Sequence, residues 1–181
     1  MHRRLMVKQL VLATGAYLLL PACRENEHRS SLTLHNLKIE ADEEALLAEL
    51  AETILPKTDT PGAKDISAHL FTLVMVDDCV KKEDQQKFMR GLKDFRKAAK
   101  TRLDKPWEET TPEQRHAFVA DLDKAKKDDG DLHYFYSTVK RFTVQAYTTS
   151  QYFLTKVQVY ELVPGRYHGC VPLKPAPQTT L

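Results

Sequence analysis

The stretch LHYFYSTVKRFTVQA, residues 132–146, contains the longest run of regularly spaced apolar residues in the chain. Leu132, Phe135, Val139, Phe142 and Ala146 follow one another at intervals of three, four, three and four. An α-helix completes a turn in about 3.6 residues, so this spacing places the five side chains along one side of a helix. The stretch therefore predicts an amphipathic helix that packs into a core.

A further helix is predicted just upstream, where TPEQ (residues 111–114) begins a segment that carries Phe118, Leu122 and Ala125. Thr111 can cap the helix, Pro112 suits its first turn, and Gln114 can complete a capping box. After residues 124–131, KAKKDDGD, the apolar stripe of residues 132–146 begins.

Three more helices are predicted toward the N-terminus. Pro56 ends the first, because proline lacks an N–H and clashes with the preceding turn. Asp65 is expected to cap the second, and the Lys and Arg residues of the third are expected to form its solvated face. The apolar positions are Leu46, Leu50 and Ile54 in the first, Ile66, Leu70, Leu73, Val74 and Val76 in the second, and Phe88, Leu92, Phe95 and Ala99 in the third.

The predicted fold class is all-α, a compact bundle of about five helices with an extended C-terminal tail that contains Pro and Gly. We divide the chain into a signal peptide (1–22), a leader (23–40), a helical domain (41–173) and a flexible tail (174–181). The alternation of Leu32, Leu34, Leu37 and Ile39 predicts one short extended segment in the leader.

The first residues have the pattern of an export signal: a basic head and then an apolar run, residues 10–20, that is too short to span a bilayer. Arg3 and Arg4, followed by Leu5, Met6, Val7 and Lys8, resemble the twin-arginine pattern, and an ordinary secretory signal is the alternative. The sequence LLPAC favours lipidation at Cys23, although Pro21 departs from the usual lipobox, and a plain cleaved signal stays open. Both interpretations place the mature chain outside the cytoplasm, in the periplasm.

The net charge and the cysteines give further information about the kind of protein this is. The chain has a formal charge of +2, and Arg3, Arg4 and Lys8 supply +3, so the mature part carries about 2 − 3 = −1 and nucleic-acid binding is not indicated. Cys79 and Cys170 can form a disulfide in an oxidising compartment. The alternatives are that Cys79 is a buried apolar residue and that Cys170 pairs with another chain.

The sequence lacks the motifs of an enzyme. There is no phosphate-binding glycine loop, no haem-attachment CxxCH, no HExxH and no GxSxG. His69 and His168 are single histidines, which are usually structural or solvent-facing. We therefore expect no catalytic, cofactor-binding or metal-binding residues on this chain.

Five blocks in order resemble the gluconate 2-dehydrogenase subunit 3 family over roughly residues 43–173. They are ILPKTDTPGAKD (54–65), GLKDF (91–95), TPEQ (111–114), YFYSTVKRFTVQAYTTS (134–150) and PGRYHGCVPL (164–173). The resemblance implies a non-catalytic helical subunit of a periplasmic, membrane-associated sugar or sugar-acid dehydrogenase. It further implies a large flavoprotein partner of the glucose-methanol-choline type that carries FAD, and often a third subunit, a cytochrome with haem c. Ala146, where the family usually has glycine, and a lipid at Cys23 depart from the family pattern.

A twin-arginine signal on such a subunit would also export a folded flavoprotein that lacks a signal of its own. The loop after the first helix is the expected contact with this partner, since loops on rigid scaffolds often carry recognition, although the loop can also be a plain connection. The expected interface residues are Pro56, Thr58, Asp59, Thr60, Pro61, Gly62, Tyr136, Tyr147, Tyr152 and Tyr167. The competing hypothesis is a free-standing periplasmic lipoprotein that binds a ligand or an envelope partner.

Overall fold

Five α-helices follow one another in a computed structural model that describes residues 30–124, 130–158, 165 and 170. They are α1 (Ala41–Ile54), α2 (Ala68–Cys79), α3 (Lys82–Leu103), α4 (Pro112–Lys124) and α5 (Asp131–Thr148). Two short elements accompany them, a 3₁₀ turn at Trp107–Glu109 and a π-helical turn at Phe153–Val157. The described part of the chain contains no strand, so the all-α prediction is confirmed.

Helices α3 and α5 form the centre of the bundle, and they approach most closely at Gly91. A methyl group at position 91 would lie 2.5 Å from Cβ of Phe135 and would overlap the carbonyl oxygen of Asp131. On either side of this contact, Phe88 and Phe95 pack on Phe135 with ring centroids 5.0 and 5.5 Å apart. The stripe predicted on residues 132–146 therefore forms part of the core.

The 3₁₀ turn places Trp107 beneath α4, where its ring lies 5.1 Å from Phe95 and 5.8 Å from Phe118. Helix α4 begins as predicted, because the Thr111 N–H donates to Gln114 Oε1 (3.1 Å) and the Gln114 N–H donates to Thr111 Oγ1 (3.4 Å). These two bonds satisfy N–H groups that a helix start leaves without partners.

The segment before α1 packs on the bundle, with Leu37 and Ile39 in the core. Asp77, which is only 2% exposed, accepts the N–H groups of His35 (2.7 Å), Asn36 (2.8 Å) and Leu37 (2.7 Å). Burial alone would raise the pKa of this carboxyl, but the three donors lower the pKa below its ordinary value. The side chain of Asp77 thus fixes a segment that is forty residues away in sequence.

Helix α2 begins at Ala68, so the prediction that Asp65 caps it is wrong. Residues 63–68 form a turn first, in which the Ser67 N–H donates to Lys64 O and the Ala68 N–H donates to Ala63 O. Ser67 is the residue before the helix and has a left-handed backbone with φ 53°. The carboxylate of Asp65 faces back into the preceding loop instead.

After α5, the chain continues through the π-helical turn at Phe153–Val157. The predicted tail, residues 174–181, lies outside the described residues. Within the described ranges, no helix is both long enough and apolar enough to cross a membrane.

Candidate functional site: the loop between α1 and α2

Residues 55–67 form a loop whose backbone is closed by its own hydrogen bonds. The Ala63 N–H donates to Leu55 O (2.9 Å), which brings the two ends of the loop together. At the tip, the Thr58 N–H donates to Thr60 O (3.1 Å) and the Thr60 N–H reaches Thr58 Oγ1 (3.4 Å). The loop is therefore held in one conformation before anything binds to it.

The carboxylate of Glu52 organises this loop from inside α1. It accepts the N–H groups of Lys57 (3.0 Å) and Lys64 (2.8 Å), which lie on opposite sides of the tip. The C-terminal end of a helix carries partial negative charge, so the negative carboxylate of Glu52 in the last turn is unfavourable there. The two N–H donors compensate for this. Sequence reasoning missed Glu52, and its place in the last turn of α1, where no basic residue stands, was the available signal.

The carboxylate of Asp65, within the loop itself, is a second acceptor that stabilises the loop. It accepts the Gly62 N–H (3.1 Å) and the ammonium group of Lys57 (3.1 Å). The bond from Lys57 and the bond from Gly62 lower the pKa of Asp65 below its ordinary value. Two carboxylates thus satisfy three backbone N–H groups of the loop.

Small side chains allow the loop to pack directly against the helices. Four buried alanines form a cluster beneath it, and Leu55, Ile66 and Phe71 pack against that cluster. Short side chains bring the backbone of the loop close to α1, α2 and α5, since no bulk separates them. The cluster consists of Ala51, Ala63, Ala68 and Ala146.

Beside the loop lies a groove of about 590 Å³ that separates it from the C-terminal end of α5. Pro61 and Ile66 line it from the loop, Phe71 from α2, and Tyr152 from the chain after α5. The ring of Tyr152 lies 6.4 Å from that of Tyr147, which also contacts Phe153 at 5.7 Å. The loop and these aromatic side chains therefore form one continuous surface.

We call this surface the docking face and define it by Thr58, Asp59, Thr60, Pro61, Ile66, Tyr147 and Tyr152. Thr58 and Asp59 are exposed at the tip, while Pro61 and Tyr152 both line the groove. The sequence named six of these seven residues but not Ile66, because Ile66 was assigned to the buried side of α2. Gly62, which was also predicted as an interface residue, is buried, and its lack of a side chain leaves room for the Glu52 carboxylate.

Two predicted interface residues lie elsewhere. Tyr136 is 2% exposed, so its prediction as a surface contact is wrong. It lines a shallow depression of about 250 Å³ together with Pro56, Asp123 and Lys140, away from the groove. Burial, and then the neighbouring Asp123 carboxylate, raises the pKa of Tyr136.

The structure describes some of the remaining predicted site residues and not others. Cys79 and Cys170 are both free and exposed, so the predicted disulfide is not present in the structure, and Cys79 is not the buried residue of the alternative. Arg3, Arg4, Cys23 and Tyr167 lie outside the described residues.

Of the two histidines considered from the sequence, His69 on α2 lies in the described part of the chain. It is half-buried, which lowers its pKa, and its Nδ1 atom has no hydrogen-bond partner among the described residues. His168 is outside the described part. Across residues 30–124 and 130–158, no three His, Cys, Asp or Glu side chains come together as metal ligands would.

Comparison with known proteins gives one match. A protein-family model described as gluconate 2-dehydrogenase subunit 3 matches residues 41–165, which is more than half of the 181 residues. The match covers all five helices and the loop. No curated protein and no solved structure matches the chain.

Proposed function

The chain belongs to the gluconate 2-dehydrogenase subunit 3 family, and from this we propose that it is the non-catalytic small subunit of a flavin-dependent dehydrogenase. The dehydrogenase would be a periplasmic, membrane-associated complex that oxidises a sugar or sugar acid. FAD would be bound by the large subunit, of the glucose-methanol-choline type, and haem c by a cytochrome subunit. The chain described here would stabilise the flavoprotein and escort its export.

The observation that supports this role is the ordered docking face. Most loops of this length lose conformational freedom when they bind, and that loss weakens association. Here Glu52 and Asp65 have already fixed the backbone, so a partner would meet a rigid surface. A non-catalytic subunit requires such a surface and no reacting groups.

The partner is tested by affinity purification of the tagged chain from native membranes. A large yellow protein should co-purify, with a flavin absorption spectrum and dye-linked oxidation of sugars or sugar acids. A colourless, monomeric chain whose deletion leaves dehydrogenase activity and export intact would contradict the proposal and favour the free-standing lipoprotein.

The docking face is tested by the double variant Asp59→Lys/Tyr152→Ser. Both side chains are accessible, so the fold should persist while partner affinity falls on the order of tenfold or more. The matched control is Asp78→Lys/Val144→Ser, which makes the same charge reversal and also replaces an apolar side chain by serine, at exposed positions outside the face. Equal recovery of flavoprotein with both variants would show that the partner binds elsewhere.

Escort of the flavoprotein is tested with Arg3→Lys/Arg4→Lys, which keeps the charge of the signal but removes the arginine pair. Both proteins should then stay in the cytoplasm, whereas Lys8→Arg should leave export unchanged. Continued export of the flavoprotein from the Arg3→Lys/Arg4→Lys strain would refute the escort role.

A further inference from the structure

Helix α3 carries four exposed lysines on one side, Lys82, Lys93, Lys97 and Lys100. A helix turns by about 100° per residue, so these four residues fall within an arc of about 60°. No acidic residue of α3 falls within the same arc, since Glu83, Asp84 and Asp94 lie outside it. The helix is 22 residues long, and the stripe extends over about 27 Å of it.

These lysines have no partners, whereas the arginines of the same helix do. Arg90 pairs with Asp131 at 2.5 Å, Arg96 pairs with Asp42, and Arg102 pairs with Asp121. None of the four lysines forms an ion pair with any residue in the described part of the chain. Among the described residues, no ion pair therefore neutralises their positive charge.

The segment before α1 extends the stripe at its N-terminal end. Lys38 lines a groove of about 760 Å³ together with Lys82, Arg90, Lys93 and Met89. No acidic side chain lines that groove.

A neighbouring depression continues from Lys38, Lys93 and Met89 to Leu32 and Leu34. Glu40 and Glu43 also line this second depression, so Lys38 and Lys93 lie near carboxylates although no ion pair joins them in the described part of the chain. The first groove combines lysines with the apolar side chain of Met89 and has no acidic lining residue.

We propose that this basic face, formed by Lys38, Lys82, Lys93, Lys97 and Lys100, lies against the anionic phospholipid headgroups of a membrane. The mature chain carries a formal charge of only about 2 − 3 = −1, so a one-sided face of unpaired lysines is not a consequence of a basic composition. Such clusters are attracted to anionic bilayers, and the attraction weakens with salt.

The position of the predicted lipid anchor supports a membrane as the occupant. Ser30 lies seven positions after Cys23, a distance that an extended chain spans in at most about 25 Å. The segment that follows Ser30 contributes Lys38 to the basic face. A lipid on Cys23 would thus enter the bilayer near this face, and the inference rests on the export and lipidation predicted from the sequence and not on the flavoprotein partner.

The test uses the processed chain, isolated after export, with vesicles of phosphatidylcholine alone and of equal parts phosphatidylcholine and phosphatidylglycerol. The measured quantity is the ratio of the partition constants for the anionic and the neutral vesicles. A lipid on Cys23 contributes equally to both constants, so the ratio isolates the electrostatic attraction. The ratio should be well above one for the unmodified chain and should fall as salt is added.

Lys93→Glu/Lys97→Glu should lower this ratio by at least roughly 30-fold, because losing the attraction of two lysines accounts for about that factor and the new carboxylates add repulsion. The matched control Lys105→Glu/Lys124→Glu changes two exposed lysines outside the face by the same charge and should have a much smaller effect. Thermal unfolding of both variants checks that each remains folded.

A ratio near one for the unmodified chain, or equal losses in both variants, would overturn the proposal. Loss of the flavoprotein from Lys93→Glu/Lys97→Glu, with unchanged vesicle binding, would assign the face to an acidic protein surface and would also overturn it. Vesicle binding uses the isolated chain, so a failure here leaves the co-purification test of the proposed function unaffected.

Discussion

The carboxylate of Glu52 fills the space beside Gly62 that any larger side chain would need. A Cβ atom on residue 62 would lie 2.5 Å from Oε1 of Glu52 and 2.7 Å from the backbone nitrogen of Lys57. The φ angle of Gly62 is not positive, so the glycine is required by this close approach and not by its backbone conformation. The shape of the loop depends on this contact.

Gly62→Ala should therefore destabilise the loop. The Glu52 carboxylate cannot easily move aside because it accepts two backbone N–H groups, and overpacking of this kind costs about 1–3 kcal/mol. Urea unfolding measures the loss, and recovery of the flavoprotein should fall in parallel. Gly165→Ala is the control, because no atom lies within 4 Å of its added methyl group. Equal stability of the two variants would mean that the loop adapts to a side chain at position 62.

Gly91→Ala should weaken the contact between α3 and α5. Alanine favours a helix over glycine by about 1 kcal/mol, yet the methyl group would overlap the backbone of Asp131 and separate the helices. We expect a net loss of about 2 kcal/mol or more in the free energy of unfolding, measured by urea denaturation. Gln86→Ala, on the exposed side of the same helix, should change stability by less than about 0.5 kcal/mol. A stabilised Gly91→Ala protein would show that propensity outweighs the clash.

Asp77→Asn should destabilise the chain at neutral pH by about 2–4 kcal/mol, because one amide oxygen cannot replace a carboxylate that accepts three N–H groups. The neighbouring Asp78→Asn is the control, since its side chain is exposed. Urea unfolding of both variants and of the unmodified chain measures these differences.

The effect of Asp77 should also depend on pH. Its pKa is lower in the folded state than in the unfolded state, so its stabilisation is complete above the unfolded value of about 3.9 and is lost as pH falls through the lower folded value. The difference between the unmodified chain and Asp77→Asn should therefore shrink between neutral pH and about pH 3. A difference that is the same at both pH values would contradict this role of the carboxylate.

Thr143→Val and Thr72→Val should have opposite effects, although both threonines are fully buried. Thr72 Oγ1 donates to Ala68 O at 2.9 Å, whereas Thr143 Oγ1 has no hydrogen-bond partner in the described part of the chain. Valine has nearly the same shape, so the first change should cost about 1 kcal/mol and the second should gain up to about 1 kcal/mol. Thermal unfolding of the two variants measures these changes in stability. An equal loss of stability in both would mean that Thr143 Oγ1 has a hydrogen-bond partner in solution.

The helices could be predicted because their signals are local. The spacing of Phe135 and Phe142, the capping box of Thr111 and Gln114, and the stop at Pro56 each lie within a few residues of the structure they specify. The start of α2 was predicted two residues too early, since Asp65 is a good capping residue in isolation. In the folded chain, the Gly62 N–H and Lys57 occupy its carboxylate.

Tyr136 was placed on the surface because it lies outside the main apolar stripe of α5. That helix packs against α1 and α2 as well as α3, so more of its circumference is buried than one stripe indicates. The three partners come from distant parts of the sequence, and periodicity within α5 carries no information about them. For the same reason, the sequence did not predict that Ile66 and Phe71 line the groove, because Ile66 belongs to the loop and Phe71 to α2.

By itself, the sequence determined the all-α class, the approximate ends of the helices and the family, because periodicity, capping and motif order are properties of neighbouring residues. The tertiary structure alone decided that Glu52 fixes the loop, that Asp77 holds residues 35–37, and that Pro61 and Tyr152 line one groove. These contacts join segments that only the packing of the bundle brings together. A carboxylate can accept N–H groups from any segment, so its partners depend on which backbone the fold places beside it.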